Sequence, residues 1–239
     1  MVTEKRPDPS HTSRTKAQGS VEESSGQDPQ RQQLLKLIRP YVDDFVYQAF
    51  KAVDRKSFTP PRAIKNAYVD AVIPLEQEGS TMSQPTLVAE MTQLLGLTGK
   101  ENVLEIGTGS GYSAAILAKC AEQVTTIEIN PQLADKAKER LNRLDFRNVS
   151  VQTSDGHLGF SQKAPFDAIV VTAATKKVPK ALIEQLKVGG RIIIPIGSET
   201  SQVLKRITKL EEKITRVERF SSVRFVPLVN SVQPFSNPA

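Results

Sequence analysis

Val103-Leu104-Glu105-Ile106-Gly107-Thr108-Gly109-Ser110-Gly111-Tyr112 is the stretch on which the fold of this chain turns. Asn102–Ile106 reads as a short apolar strand that runs straight into three glycines at alternate positions. Glycine lets the backbone turn tightly and approach a ligand with no Cβ in the way. The helix expected over Tyr112–Ala121 then aims its free N–H groups at whatever lies against the loop. The spacing is Gly-x-Gly-x-Gly; Tyr112 stands where a dinucleotide fingerprint would carry its third glycine or alanine.

Outward from this loop, strands alternate with single helices. Strands are expected at Gln123–Ile129, Val149–Gln152, Phe166–Thr172 and Arg191–Ile196, and helices at Pro131–Leu144 and Pro179–Leu186. Pro131 suits a first helical turn, and Gly189-Gly190 reads as the stop after the last helix. Phe166–Thr172 is almost wholly apolar, as a strand covered on both faces must be. Ser201–Leu210 and Lys213–Phe220 alternate like a hairpin, and Val223–Leu228 reads as a last short strand. The expected fold class is α/β: a Rossmann-like, doubly wound, mainly parallel sheet with antiparallel strands at one edge and helices on both faces.

Toward the N-terminus the pattern changes. Apolar residues recur at helical spacing over Gln30–Val53, with Pro40 dividing two helices. Thr59–Ser80 reads as loop and short extended pieces, and Gln84–Leu95 as a helix with Ser83 in a position to cap it. Residues 1–28 hold almost no large apolar side chain, and a disordered tail is expected there. The expected organisation is this tail, a helical and substrate-loop segment over 29–100, and a nucleoside-binding core over 101–239, with 29–239 forming one domain.

Composition narrows the chemistry. The chain of 239 residues carries a net charge of +6, while the first 28 residues hold four cations against five acids, so the basic balance lies in the body. Cys120 is the only cysteine and His157 the only histidine outside the tail, which excludes an internal disulfide and a cysteine or multi-histidine metal site. No apolar run is long enough to span a bilayer and no targeting segment is read, so a cytoplasmic protein is expected.

In an open parallel sheet the ligand lies beyond the carboxyl ends of the strands, where strand order reverses. Glu128 falls at the end of the second strand, where a carboxylate can accept bonds from both hydroxyls of a free ribose. Asp155-Gly156 follows the third strand: either an ordinary turn, or an acid for an adenine amino group beside a glycine that admits the ring. Glu105 is placed to steer a ligand's ammonium end by charge. Together these residues point to a nucleoside-type cofactor.

The set resembles the class I S-adenosylmethionine-dependent methyltransferases and, more narrowly, the protein-L-isoaspartate (D-aspartate) O-methyltransferase family. Ala67-Tyr68-Val69-Asp70, Thr81-Met82-Ser83-Gln84-Pro85, Val103–Tyr112, Ala164-Pro165-Phe166-Asp167, Gly189-Gly190-Arg191 and Val223-Arg224-Phe225-Val226-Pro227-Leu228 carry the likeness, over about residues 42 to 229. The resemblance implies S-adenosyl-L-methionine as cofactor, held by Glu105, Gly107, Thr108, Gly109, Gly111, Glu128, Ile129, Asp155 and Gly156. It implies Ser83 as the active-site serine and Tyr68, Thr81, Met82, Val226 and Leu228 as contacts to isoaspartyl-containing peptides and proteins. Two departures, Gly79-Ser80 for Gly-Gln and Ile73-Pro74-Leu75-Glu76 for Leu-Pro-Ile-Gly, fall near the expected substrate entrance.

The activity implied is methylation of the free carboxylate of isoaspartyl or D-aspartyl residues, the first step of their repair. The alternatives are another modified peptide or small acid as acceptor, or a module that binds the cofactor without catalysis. Ser83 as a plain helix cap is the rival to its catalytic role. No nucleic-acid partner is expected, because Val171-Thr172-Ala173-Ala174 stands where base methylases carry an Asn/Asp-Pro-Pro-Tyr type of motif. A monomer is expected.

Overall fold

The computed structural model describes residues 28–76 and 79–230. The expected tail lies outside the described residues except for Asp28, which accepts from the Gln30 N–H and so caps helix α1 (Pro29–Ile38). Pro40 sits in a tight turn, as expected, and α2 (Asp44–Ala52) starts beyond it, capped by Asp43. Two 3₁₀ turns, Arg55–Phe58 and Pro61–Asn66, lead to a two-stranded antiparallel pair, β1 (Ile73–Pro74) with β2 (Thr81–Met82). Helix α3 (Pro85–Leu95) follows at once.

The main sheet then builds in order: β3 (Asn102–Ile106), α4 (Tyr112–Ala118), β4 (Gln123–Glu128), α5 (Pro131–Arg143), β5 (Val149–Thr153), β6 (Phe166–Val171), α6 (Lys180–Glu184), β7 (Leu186–Gly197), β8 (Gln202–Glu211) and β9 (Ile214–Val223). Its spatial order is β5-β4-β3-β6-β7-β8-β9. The first five are parallel, and β8 and β9 add antiparallel strands at one edge. The chain winds outward from β3 to β5, then returns to place β6 on the other side of β3. Strand order therefore reverses between β3 and β6, where a ligand crevice opens.

Alternate residues of each strand face opposite ways. Val103, Val124, Ala168, Val170 and Ile193 share one apolar cluster with residues of α1 to α5. Leu104, Ile106, Ile127, Ile169, Val171 and Ile192 form a second, closed by Leu182 of α6 and by Leu186. Both faces are thus covered, as the apolar runs of β3 and β6 required.

Two expectations need correction. Gly189-Gly190 does not stop a helix: α6 ends at Glu184, and both glycines lie inside β7. Leu186 pairs with Phe166 and Arg191 with Ala168, so residues 187–190 bulge opposite Asp167 alone. Gly189 takes φ +82°, and a Cβ on Gly190 would stand 2.8 Å from the Asp167 carbonyl. The glycines serve a bulge that hugs its neighbour. Val223–Leu228 is also not a strand: β9 ends at Val223, and the next residues leave the sheet to bridge onto Ala174.

Candidate active site

The glycine loop is fastened to the end of β4 from two directions. Gly107 and Thr108 donate their N–H groups to the Ile127 carbonyl at 2.8 and 3.2 Å. Glu128 accepts the Gly109 N–H on Oε2 at 2.9 Å and the Asn130 N–H on Oε1 at 3.1 Å. A carboxylate has about four acceptor positions, so these bonds leave Glu128 capacity for two more donors. Gly107 has φ +98°, and a Cβ there would lie 2.3 Å from Thr172 Oγ1. That hydroxyl donates to the Ile106 and Gly107 carbonyls, joining β6 to the loop at the switch point.

Above the loop is a cavity of about 360 Å³, within the range of small-molecule pockets. Of the residues the sequence assigned to the cofactor, Gly107, Gly109, Glu128, Ile129 and Gly156 line it. Asn130, Thr172 and Gly79–Thr81 line it too. Asn130 escaped the sequence reading; its side chain caps α5, and the Asn-Pro pair at that helix start is the signal that marks it. Gly156 is pressed against the cavity wall: a Cβ there would meet Ile106 Cγ2 at 2.2 Å.

Four of the implied cofactor residues stand behind this lining. Glu105 is 0% exposed and accepts from Thr126 Oγ1 at 2.6 Å, and Thr126 in turn bonds Thr108 Oγ1 at 2.7 Å. Glu105 braces the loop from below. Desolvation pushes its pKa up to about 7, Ser113 and Thr126 hydrogen bonds oppose the shift, and Glu128 adds to it. Gly111 starts α4, tight against Leu141 of α5. Asp155 caps the turn Gly156–Leu158 through the His157 N–H at 2.8 Å, and the same Oδ1 meets His157 Nδ1 at 2.9 Å.

A larger cleft adjoins the cavity. Ser83, Gln84, Ala174–Lys177 and Arg224–Leu228 are among its walls, and Thr81, Val226, Pro227 and Leu228 border both spaces. The Val226–Leu228 segment is held where it is by Ala174, whose N–H donates to the Val226 carbonyl at 2.8 Å and whose carbonyl accepts the Leu228 N–H at 2.7 Å. Buried Gln202 clamps Phe225 through both its N–H (2.7 Å) and its carbonyl (3.0 Å).

Ser83 is not the cap of α3. Gln84 occupies that position and gives no capping bond. Asp70 does the work from a distance: it accepts the Thr86 N–H and Oγ1–H at 2.9 Å each and a Gln84 Nε2–H at 2.8 Å. Buried Arg55 donates Nη2–H to the Ser83 carbonyl at 2.9 Å. The Ser83 hydroxyl has no protein partner among the described residues; Ser83 lines the cleft, with its own carbonyl held by Arg55 and the side chain of the next residue, Gln84, held by Asp70.

Two implied substrate contacts lie elsewhere. Tyr68 is buried, and its hydroxyl donates to Asp54 at 2.6 Å; it borders a separate surface hollow with Lys56, Ile64 and Lys65. Burial first, then Asp54, raises its pKa. Met82 is buried opposite Ile73 in the β1–β2 pair. Of the two departures, Gly79-Ser80 lies on the cavity wall, and Glu76 forms an ion pair with Lys136 of α5.

Comparison with known proteins bears on this arrangement. A sequence model described as Protein-L-isoaspartate(D-aspartate) O-methyltransferase (PCMT) matches residues 30–233. A protein-L-isoaspartate O-methyltransferase of Geobacter metallireducens is 48% identical over 193 residues, 81% of this chain and 89% of the relative. One of Vibrio campbellii is 47% identical over 187 residues, 78% of this chain and 88% of that one. A solved protein-L-isoaspartate O-methyltransferase superposes with a TM-score of 0.77 at 30% identity, covering 84% of this chain and 67% of its own. A Plasmodium falciparum chain provisionally assigned the same activity, in complex with S-adenosyl-L-homocysteine, superposes with a TM-score of 0.72 at 26% identity, covering 83% of this chain and 98% of its own.

Proposed function

This chain belongs to the protein-L-isoaspartate (D-aspartate) O-methyltransferase family, and from that membership we propose how its residues carry out the reaction. It is an S-adenosylmethionine-dependent enzyme that methylates the free carboxylate of isoaspartyl residues in peptides and proteins, the step that initiates their repair. The observation that carries the assignment of roles is that two spaces, one above the glycine loop and one beside Ser83, meet across Thr81 and Val226–Leu228.

The smaller cavity suits the cofactor. Ile106, Ile127, Ile129 and Leu228 offer apolar walls for a base, and Glu128 offers acceptors for ribose hydroxyls. Asp155 stands outside the cavity lining, but its Oδ2 has no protein partner among the described residues, and we assign it to an adenine amino group at the cavity's edge beside Gly156. Gly107 and Gly109 bring the backbone close, and Glu105, Thr108 and Gly111 support the loop from below and behind. S-adenosyl-L-methionine, when bound, supplies a methyl group already activated on a sulfonium.

The acceptor carboxylate is ionised at neutral pH, so no general base is required of this chain. The task left to the protein is alignment of the attacking oxygen with the methyl carbon and sulfur, and rate follows from proximity and orientation. Ser83 donates its hydroxyl hydrogen bond to one carboxylate oxygen and leaves the other to attack. Thr81, Val226 and Leu228 shape the passage between the spaces. Tyr68 and Met82 are given no contact with the peptide.

We also propose that residues 29–239 work as one unit, as a monomer, in the cytoplasm, without a nucleic-acid partner. The single, buried Cys120 fits a reducing compartment, and the basic charge is not gathered into an aromatic-laced run. Among the described residues no helix is long and apolar enough to cross a membrane.

Fragment mass spectrometry of a treated isoaspartyl peptide tests the assignment. A methyl ester on the isoaspartyl carboxylate is expected, and one elsewhere on the peptide would contradict it. Ser83→Ala is expected to lower turnover while donor affinity, read by calorimetry, stays near the wild-type value; full turnover would remove Ser83 from the chemistry.

A further inference from the structure

The cleft that takes the acceptor is unevenly charged. Among the described residues, Lys176, Lys177 and Arg224 line it, all exposed, against a single carboxylate, Glu199. None of the three cations is in an ion pair among the described residues. The neighbouring Lys180, outside the lining, is by contrast paired with Glu184.

These cations sit on two segments that are fastened to each other. The turn bearing Lys176 and Lys177 is held by Thr175, which donates its N–H to the Pro195 carbonyl, accepts the Gly197 N–H, and donates its hydroxyl to the Lys177 carbonyl. Arg224 precedes Phe225, which Gln202 clamps. The Ala174–Pro227 bridge joins the two segments at the passage to the donor cavity. Three unpaired positive charges thus stand on fixed backbone within three residues of that bridge. In water their side chains are mobile and screened, so each contributes modestly, but they act on the same approaching chain.

Resting on the methyltransfer reading above, we propose that this cleft selects isoaspartyl peptides whose flanking residues are acidic. The isoaspartyl carboxylate goes to Ser83, while neighbouring Asp or Glu side chains of the peptide meet Lys176, Lys177 and Arg224. A peptide flanked by Lys or Arg meets like charge at the same places and is disfavoured.

The test uses the full chain and three isoaspartyl peptides that differ only in having Glu, Ser or Lys on either side of the modified residue, each with an aspartyl control. At low salt, KM for the Glu-flanked peptide is expected to be about five- to tenfold below that of the Lys-flanked one, from a few exposed pairs acting together. The gap is expected to narrow toward unity at about 0.5 M salt. Lys176→Glu/Lys177→Glu is expected to abolish or reverse the order, with donor affinity by calorimetry serving as the check that the variant is folded. Lys36→Glu/Lys51→Glu, the same charge change at exposed positions on α1 and α2 outside the cleft, is expected to leave it intact. Equal KM values for the three peptides, or an order that both double variants alter alike, would overturn the proposal. Failure to methylate any of the isoaspartyl peptides while donor binding persists would instead overturn the assigned activity, and this inference with it.

Discussion

Arg55 Nη2 lies 2.9 Å from the backbone carbonyl of Ser83 and donates to it. Arg55 is 1% exposed, and its guanidinium stacks over Tyr112 with the central carbon 4.8 Å from the ring centroid. Tyr112 opens the helix that follows the glycine loop, so one buried cation touches both Ser83 beside the larger cleft and the helix beside the smaller cavity. Its Nε and Nη1 have no partner among the described residues. Burial lowers its pKa, and Tyr112 and Asp70 oppose the shift.

A buried charge so sparsely bonded is a poor source of stability, and an apolar side chain of similar length replaces such groups at little loss. Arg55→Met is therefore expected to keep unfolding free energy within about 1 kcal/mol of wild type, or to raise it. With the Ser83 carbonyl released, kcat is expected to fall about tenfold or more while donor affinity holds within about twofold. Parallel loss of folding and donor binding would mean that Arg55 is simply structural.

Glu128 carries a double duty, holding the Gly109 and Asn130 N–H groups while facing the cavity. Glu128→Ala removes the acceptor proposed for the ribose and strands two backbone donors. Donor binding is expected to weaken by about 1.5–3 kcal/mol in calorimetry. Unchanged affinity would remove the ribose role.

Two glycines separate contact from conformation. A Cβ on Gly156 meets Ile106 at 2.2 Å, whereas one on Gly189 meets nothing within 4 Å although φ there is +82°. Gly156→Ala is expected to cost about 1–3 kcal/mol of stability and to weaken donor binding as Ile106 shifts into the cavity. Gly189→Ala is expected to cost only the backbone strain, about 1–2 kcal/mol, with donor binding unchanged. Urea melts and calorimetry on both variants separate the two cases.

Glu105 sets a pH dependence. Its folded pKa of about 7 exceeds the ordinary carboxylate value of 4.5, so the folded state holds its proton more tightly than the unfolded chain does. Its burial is therefore best tolerated below about pH 4.5, and stability is lost as pH rises through about 7. Glu105→Gln keeps an acceptor for Thr126 without the charge. Relative to wild type it is expected to gain about 2.5 kcal/mol between pH 5 and pH 8, read from urea midpoints. An offset that does not change with pH would contradict a neutral Glu105 in the folded protein.

The sheet was legible in the sequence because its strands are apolar runs cut by glycines and proline, and the glycine loop announced the crevice. What escaped was long-range. Asp70 caps α3 across 16 residues of chain, so proximity alone pointed to Ser83. The bulge at Gly189-Gly190 depends on how β7 registers on β6, which no local pattern encodes. Tyr68 looked like a contact by its place in a family segment, yet its hydroxyl turns to Asp54. Val223–Leu228 has the composition of a strand, but its bonding goes to Ala174 and Gln202. The place of Glu128 on the cavity wall was legible from strand order alone, because the end of the strand beside the loop borders the crevice.

The central claim is tested most directly by methyl transfer from labelled S-adenosyl-L-methionine to two peptides identical except for isoaspartate or aspartate at one position. The account predicts strong labelling of the isoaspartyl peptide and none of its aspartyl twin. Equal labelling of the two, or labelling of neither with donor binding intact, would contradict it.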